Sequence, residues 1–308
     1  MENLIETTGL CKRYEDFSLE GVNLTVPAGT IVGLIGENGA GKTTTLKALL
    51  GMVHPTQGSA RLLGKAPGDP EALAQVGVVF EDAYFYETMC AEQIDKVMAR
   101  VYSNWDGLLF REYCHRFELS EKQPLKEFSR GMRMKLSLAT ALAHRPRLLI
   151  LDEATSGLDP VVRGEMLDLF LDFIQDERNG ILMSSHITAD LEKVADQVAY
   201  LHRVGNTSRL LFQEDKNVLA EQYGILRCGR AELEQLPEAW KIHTRQNAFG
   251  CETLVKQPDQ VRALLPEAAK KNYVYHIPVD EKDACGVRRK CERNMARFGA
   301  ELPNVSLL

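Results

Sequence analysis

Eight residues, Gly36-Glu37-Asn38-Gly39-Ala40-Gly41-Lys42-Thr43, carry the spacing G-x-x-x-x-G-K-T, with the apolar run IVGLI just before them and TTLKALL just after. A strand that turns through glycines into a helix aims successive backbone N–H groups at one point, and the helix start adds the positive end of its dipole. Gly36, Gly39 and Gly41 tolerate positive φ and let backbone close in on an anion. Lys42 adds a point charge, and Thr43 a hydroxyl suited to a hard cation such as Mg²⁺. The chemistry this predicts is the cradling of a polyphosphate.

A second group lies in RPRLLILDE, an apolar run that ends in Asp152 and Glu153. Ligands gather at the C-terminal ends of parallel strands. A strand that delivers two carboxylates there can hold Mg²⁺ through Asp152 and can use Glu153 to take the proton of an attacking water. Alone the pattern is weak, because strand ends are often acidic and solvated. Beside the phosphate-binding loop it becomes specific.

These residues need a scaffold that brings strand ends together. The first thirty residues alternate in strand fashion, which predicts an antiparallel start. The later runs IVGLIG, VGVVF, RLLILD, GILMSSH and QVAYLHRV are short and non-alternating, as strands buried on both faces of a parallel sheet are. Helical patterns separate most of them, which predicts an α/β core with right-handed crossovers. From about residue 87 to 144, AEQIDKVMARVY, WDGLLFREYCHRF and GMRMKLSLATALAH place apolar residues three and four apart, predicting an all-helical insertion. Residues 1–222 are therefore expected to form one domain. Residues 223–308 are expected to form a small α+β accessory domain, whose last forty residues show no clear pattern.

Composition narrows the function classes. The net charge of −6 argues against nucleic acid as the main partner. The seven cysteines are scattered and form no C-x-x-C pair, so they read as reduced thiols rather than a disulfide or zinc framework. No apolar run approaches the roughly 18 residues needed to span a bilayer, and the N-terminus lacks signal-peptide character. A cytosolic location is expected.

From about Leu4 to Phe212 the ordered motifs resemble the nucleotide-binding subunit of ATP-binding cassette (ABC) transporters. The resemblance implies a P-loop NTPase core with ATP and Mg²⁺ as ligands. Glu37, Asn38, Ala40 and Thr44 would join the phosphate loop, Tyr14 would stack on adenine, and His186 in MSSH would contact the γ-phosphate. Asp159 in SGLDP would face a second copy. FSRGM, Phe128 to Met132, stands where the family carries its signature, so Ser129 and Gly131 would cap the ATP held by that second copy. Arg130, Arg133 and Lys135 would add positive charge to this phosphate-rich interface. Without the resemblance, FSRGM would equally be a solvated basic helix face with an ordinary serine N-cap.

The implied activity is ATP hydrolysis that powers a separate integral-membrane permease, docked near residues 81–92 at the inner face of the membrane, most similar to bacterial multidrug or peptide-antibiotic exporters. Two other readings stay open: a non-transport ABC ATPase acting on DNA or ribosomes, and a catalytically weakened regulatory subunit. The second is kept open by departures from the family pattern. Arg130 and Met132 replace a glycine and a glutamine of the signature, and Glu81 stands where a Mg²⁺-touching glutamine is usual. A carboxylate there can still serve as a metal ligand, but it adds negative charge beside the γ-phosphate.

Overall fold

The computed structural model describes residues 2–81, 85–186, 188–247, 250–265 and 274–276. The chain divides into two compact units, Met1–Gln213 and Glu214–Leu308.

The first unit opens with β1 (Asn3–Arg13), β2 (Ser18–Val22) and β3 (Thr25–Pro27), followed by β4 (Ile31–Ile35), α1 (Lys42–Leu49), β5 (Gln57–Leu62), α2 (Pro70–Leu73) and β6 (Val76–Val79). Three helices come next, α3 (Ala91–Val101), α4 (Gly107–Arg116) and α5 (Arg130–Leu142). The core resumes with β7 (Leu148–Asp152), α6 (Pro160–Phe173), β8 (Gly180–Ser185), α7 (Thr188–Val194), β9 (Gln197–Val204) and β10 (Thr207–Asp215). β1 pairs antiparallel with β2, β3 and β5, giving the expected antiparallel start. In the rest of the sheet β9, β4, β8, β7 and β6 lie side by side, and every adjacent pair among them is parallel. All residues of β7 and β8 are buried, because helices cover both faces, and this is why their sequences do not alternate.

Between β6 and β7 the described residues contain helices and no strand, as the three- and four-residue spacings predict. Phe110, Cys114, Leu125, Phe128 and Leu138 bury this insertion against one face of the sheet, in the same cluster as Leu149, Leu151 and Met183. Desolvation among these apolar neighbours pushes the Cys114 thiol up to about 12, so it packs as a small hydrophobe. No apolar run in the sequence announces β5, because only two of its six residues are buried.

The second unit holds α8 (Lys216–Gln222), β11 (Tyr223–Cys228), α9 (Arg230–Leu233), β12 (Lys241–Asn247), β13 (Gly250–Lys256), α10 (Pro258–Leu264) and β14 (Val274–His276). Among the described residues its four strands form an antiparallel sheet in the order β12-β13-β11-β14. Apart from β14, the last forty residues lie outside the described residues.

His144, just past α5, fastens the insertion to the core. Its ring is 1% exposed, Nε2 lies 3.2 Å from the Val76 carbonyl at the start of β6, and Tyr102 stacks on it at 4.3 Å. Burial lowers its pKa below 6.5, so the folded protein holds the neutral ring. The unfolded chain binds a proton more readily, and stability at this site is intact above pH 6.5 and declines as pH falls below it. The urea midpoint is expected to fall between about pH 7.5 and about pH 5.5, and to fall less in His144→Gln; an unchanged pH slope in the variant would disprove the coupling.

Candidate functional site

The site assembles where β4, β7 and β8 end side by side. β4 runs into the loop Gly36–Gly41 and then into α1, whose N-cap Gly41 sits at φ 93 and offers no side-chain cap. The N–H groups of the first turn are therefore left for another acceptor. By contrast α5 is capped by Ser129, and α6 by Asp159, whose Oδ1 accepts from Val161 and Val162 N–H. Position 41 has to be glycine for a second reason: a Cβ there would stand 2.8 Å from the Phe17 ring.

Lys42 is 6% exposed and its ammonium is fully engaged. Nζ donates to the Gly36 carbonyl at 2.8 Å and lies 3.2 Å from Glu153 Oε1. Thr43 Oγ1 donates to Asp152 Oδ2 at 2.6 Å, which joins the loop to the end of β7. The register of β7 and β8 sets Asp152 beside Ser184. The Ser184 hydroxyl donates to Asp152 Oδ1 and accepts from the Glu153 backbone N–H at 3.1 Å, as does the Ser184 carbonyl, so one residue holds the Asp152 carboxylate and the Glu153 backbone. Glu153 occupies the left-handed region at φ 53, an uncommon setting for a residue with a Cβ. Its Oε2 meets His186 Nδ1 at 2.6 Å and also accepts from the His186 backbone N–H at 3.3 Å.

Lys42, Thr43, Asp152, Glu153 and His186 are thus joined in one network. Thr43 and Asp152 present adjacent hard oxygen donors, the set a Mg²⁺ ion accepts while keeping most of its water. Glu81 is engaged elsewhere: its Oε1 accepts from Arg130 Nη2 at 2.8 Å. Tyr14 is 48% exposed and stacks on Phe17 at 6.3 Å, with Lys12 Nζ 5.3 Å from its ring. Because Phe17 lies against Gly41, the aromatic pair stands next to the phosphate loop. The Ser129 hydroxyl accepts from Met132 N–H at 3.2 Å, which leaves its proton free to donate. Among the described residues no hydrogen bond joins Ser129 or Gly131 to residues 36–44.

Sequence reading missed three contributors. Ser184 lay inside the quoted MSSH, but only a β7–β8 register reveals its duty. Phe17 read as one apolar residue of an alternating strand. The pairing of Arg130 with Glu81 spans 49 positions and has no local signal.

A glycine loop between a buried parallel strand and an uncapped helix, faced by two strand-end carboxylates, defines a P-loop nucleoside triphosphatase. The family described as ABC transporter matches residues 19–156. The bacitracin transport ATP-binding protein BcrA of Bacillus licheniformis is 35% identical over 207 residues, covering 66% of this chain and 68% of that one. A solved ATP-binding subunit of an ABC transporter superposes with a TM-score of 0.61 at 27% identity, over 70% of this chain and 91% of the other. A dimeric ATP-binding cassette bound to ADP and Pi in a post-hydrolysis state shares the fold at TM-score 0.60 and 18% identity, over 68% of this chain and 98% of that one. The chain belongs to the ABC transporter family as its ATP-binding subunit, an ATPase. Among the described residues no helix is long and apolar enough to cross a membrane.

Ser184→Ala removes the donor to Asp152 and one of the two acceptors of the Glu153 N–H, the Ser184 carbonyl at 3.1 Å remaining as the other. Loss of such a supporting partner typically lowers activity about tenfold or more. The expected result is a fall in kcat with little change in KM for ATP; an unaltered kcat would show that the two carboxylates hold their places without it.

Proposed function

We propose that two copies of this chain close over two Mg·ATP and that their closing and hydrolysis drive a separate membrane permease. The observation that carries the catalytic part is the network Lys42–Glu153–His186, set beside Thr43–Asp152 and the uncapped start of α1. Arrival of a triphosphate gives Lys42 a stronger anion than Glu153. As Lys42 moves to the β and γ phosphates, Glu153 is released to accept the proton of the attacking water. His186 holds the Glu153 carboxylate in place and, in this reading, contacts the γ-phosphate. Thr43 and Asp152 would hold Mg²⁺, which neutralises charge on the β and γ oxygens. Tyr14, with Phe17 behind it, supplies an exposed aromatic face for adenine.

The dimer reading is supported by Ser129 and Gly131, a hydroxyl donor and a helix start without partners in the chain's own phosphate loop. Relatives of the fold include a cassette solved as a dimer. Asp159, capping α6 a few residues beyond Glu153, would lie on the same face toward the second copy.

A permease partner is supported by exposed apolar side chains around the insertion: Tyr86 is 81% exposed, Val101 65% and Leu108 70%. Such side chains, grouped on one subdomain, suit a partner surface. Likeness to a bacitracin transport subunit supports export of a peptide antibiotic or similar amphipathic compound, and a place at the inner face of the membrane through the permease. The same likeness weighs against action on DNA or ribosomes. ATP hydrolysis measured with and without membranes that hold the partner separates a transport ATPase from a regulatory subunit.

Glu153→Gln should remove most of the turnover and leave an ATP-bound dimer that light scattering detects at twice the monomer mass. A variant that hydrolyses ATP at the parent rate would refute the role given to Glu153, and one that stays monomeric at saturating ATP would refute the paired arrangement.

A further inference from the structure

Arg130 and Glu81 both depart from the usual family pattern, and the fold brings them into contact at 2.8 Å. α5 opens with Arg130 and Arg133 in its first turn, and no acidic residue lies there to suit the helix dipole. Each cation instead finds a carboxylate on the stretch that follows β6: Glu81 for Arg130, and Glu87 for Arg133 at 3.5 Å. The Glu87 end of that stretch is tied to the insertion, because the Lys126 N–H donates to the Glu87 carbonyl and the Leu125 N–H to the Met89 carbonyl, both at 2.9 Å. Glu81 sits at the other end, two residues past β6, so the Arg130–Glu81 pair joins the helical insertion to the core sheet.

Arg130 touches a third element. A Cβ on Gly157 would stand 3.1 Å from the Arg130 Cζ and Nε, so the guanidinium lies directly on this glycine, which is held at φ +67. Gly157 belongs to the turn between Glu153 and Asp159. One side chain therefore meets the loop after β6, the turn after the catalytic strand and, through its own backbone, the start of α5. Both ends of the ion pair are about half exposed, at 49% and 51%. An exposed pair of this kind is weakly held and screened by salt, which suits a contact made to be exchanged. A phosphate offers the guanidinium fork more charge and a bidentate acceptor.

We propose that Arg130 works as an exchangeable clasp. With no triphosphate facing it, Arg130 fastens the start of α5 to the core through Glu81. A triphosphate on a second copy competes with Glu81 for the guanidinium as the two copies close. Glu81 thereby sets how much ATP is needed for closure. This inference rests on the paired arrangement proposed above.

The test uses the full chain with Glu153→Gln to block hydrolysis, alone and with Arg130→Gln, Glu81→Gln or both. Light scattering gives the ATP concentration for half-maximal dimer. Glu81→Gln should lower it about threefold, the scale an exposed ion pair allows, and Arg130→Gln should raise it. With Arg130 already removed, Glu81→Gln should have no effect. An equal shift in both backgrounds overturns the proposal, because Glu81 would then act on the cation or the phosphate by itself. Hydrogen exchange of the first-turn amides of α5, measured without nucleotide, decides the clasp in the single chain. It should quicken in either single variant and no further in the double, and exchange unchanged in all three overturns the clasp. If the parent stays monomeric at saturating ATP, the paired arrangement falls and the competition with it, while the exchange result still stands on its own.

Discussion

The Lys42 ammonium is buried, and the geometry around it follows from the need to keep that charge paired. An isolated cation taken out of water at 6% exposure would be expensive by several kcal/mol. Three oxygens meet it, the Gly36 carbonyl, the Glu37 carbonyl at 3.5 Å and Glu153 Oε1. Glu153, itself buried, needs Lys42 and His186 for the same reason. Neither partner can be removed without leaving the other as an uncompensated charge in a poorly solvated place. The site is therefore built for exchange of one anion for another at Lys42, and a triphosphate is such an anion.

That exchange requires strand ends placed to within a fraction of a hydrogen-bond length. Parallel pairing in the order β4-β8-β7 sets Ile35 beside Ser185, and Asp152 beside Ser184. A slip of one residue in either ladder would turn each of these side chains to the opposite face of the sheet. Burial on both faces fixes the register, since every residue of β7 and β8 has a packing partner to lose. Glu153 comes directly after β7, where the chain leaves the sheet at φ 53. The strain of that conformation is borne by the hydrogen bonds from its N–H to Ser184, and it directs the carboxylate toward both Lys42 and His186.

The legible part of the sequence was the part where chemistry dictates spacing. A loop that wraps phosphate admits few residue types, so Gly36, Gly39, Gly41, Lys42 and Thr43 stand out without any structure. Strands buried on both faces announce themselves as unbroken apolar runs, and so did the helices of the insertion by their spacing. β5 did not, because it exposes most of its residues and relies on β1 for its place. Ser184 was invisible for another reason: a serine in a buried strand has no pattern, and its value comes from Asp152, 32 positions away. The Arg130–Glu81 pair was hidden in the same way. Each residue is an oddity in the sequence on its own, but their contact depends on where Glu81, just past β6, meets the start of α5.

Taken together, these contacts share one logic. In the single chain three of the groups the proposed mechanism assigns to nucleotide or cation already have a temporary partner: Lys42 has Glu153, Thr43 has Asp152, and Arg130 has Glu81. The partners differ in how firmly they hold. Lys42–Glu153 lies in the interior, where a lost partner is not replaced by water, and Thr43, itself exposed, is held by the buried Asp152, so these two contacts preserve the shape of the site until a ligand takes over. The third lies at the surface, where water can replace either ion, and it therefore adjusts an equilibrium without being needed for the fold. A glycine at position 130 would leave that equilibrium untuned. An arginine makes it depend on the charge at position 81, which lies five positions before the exposed Tyr86 where a permease is proposed to dock.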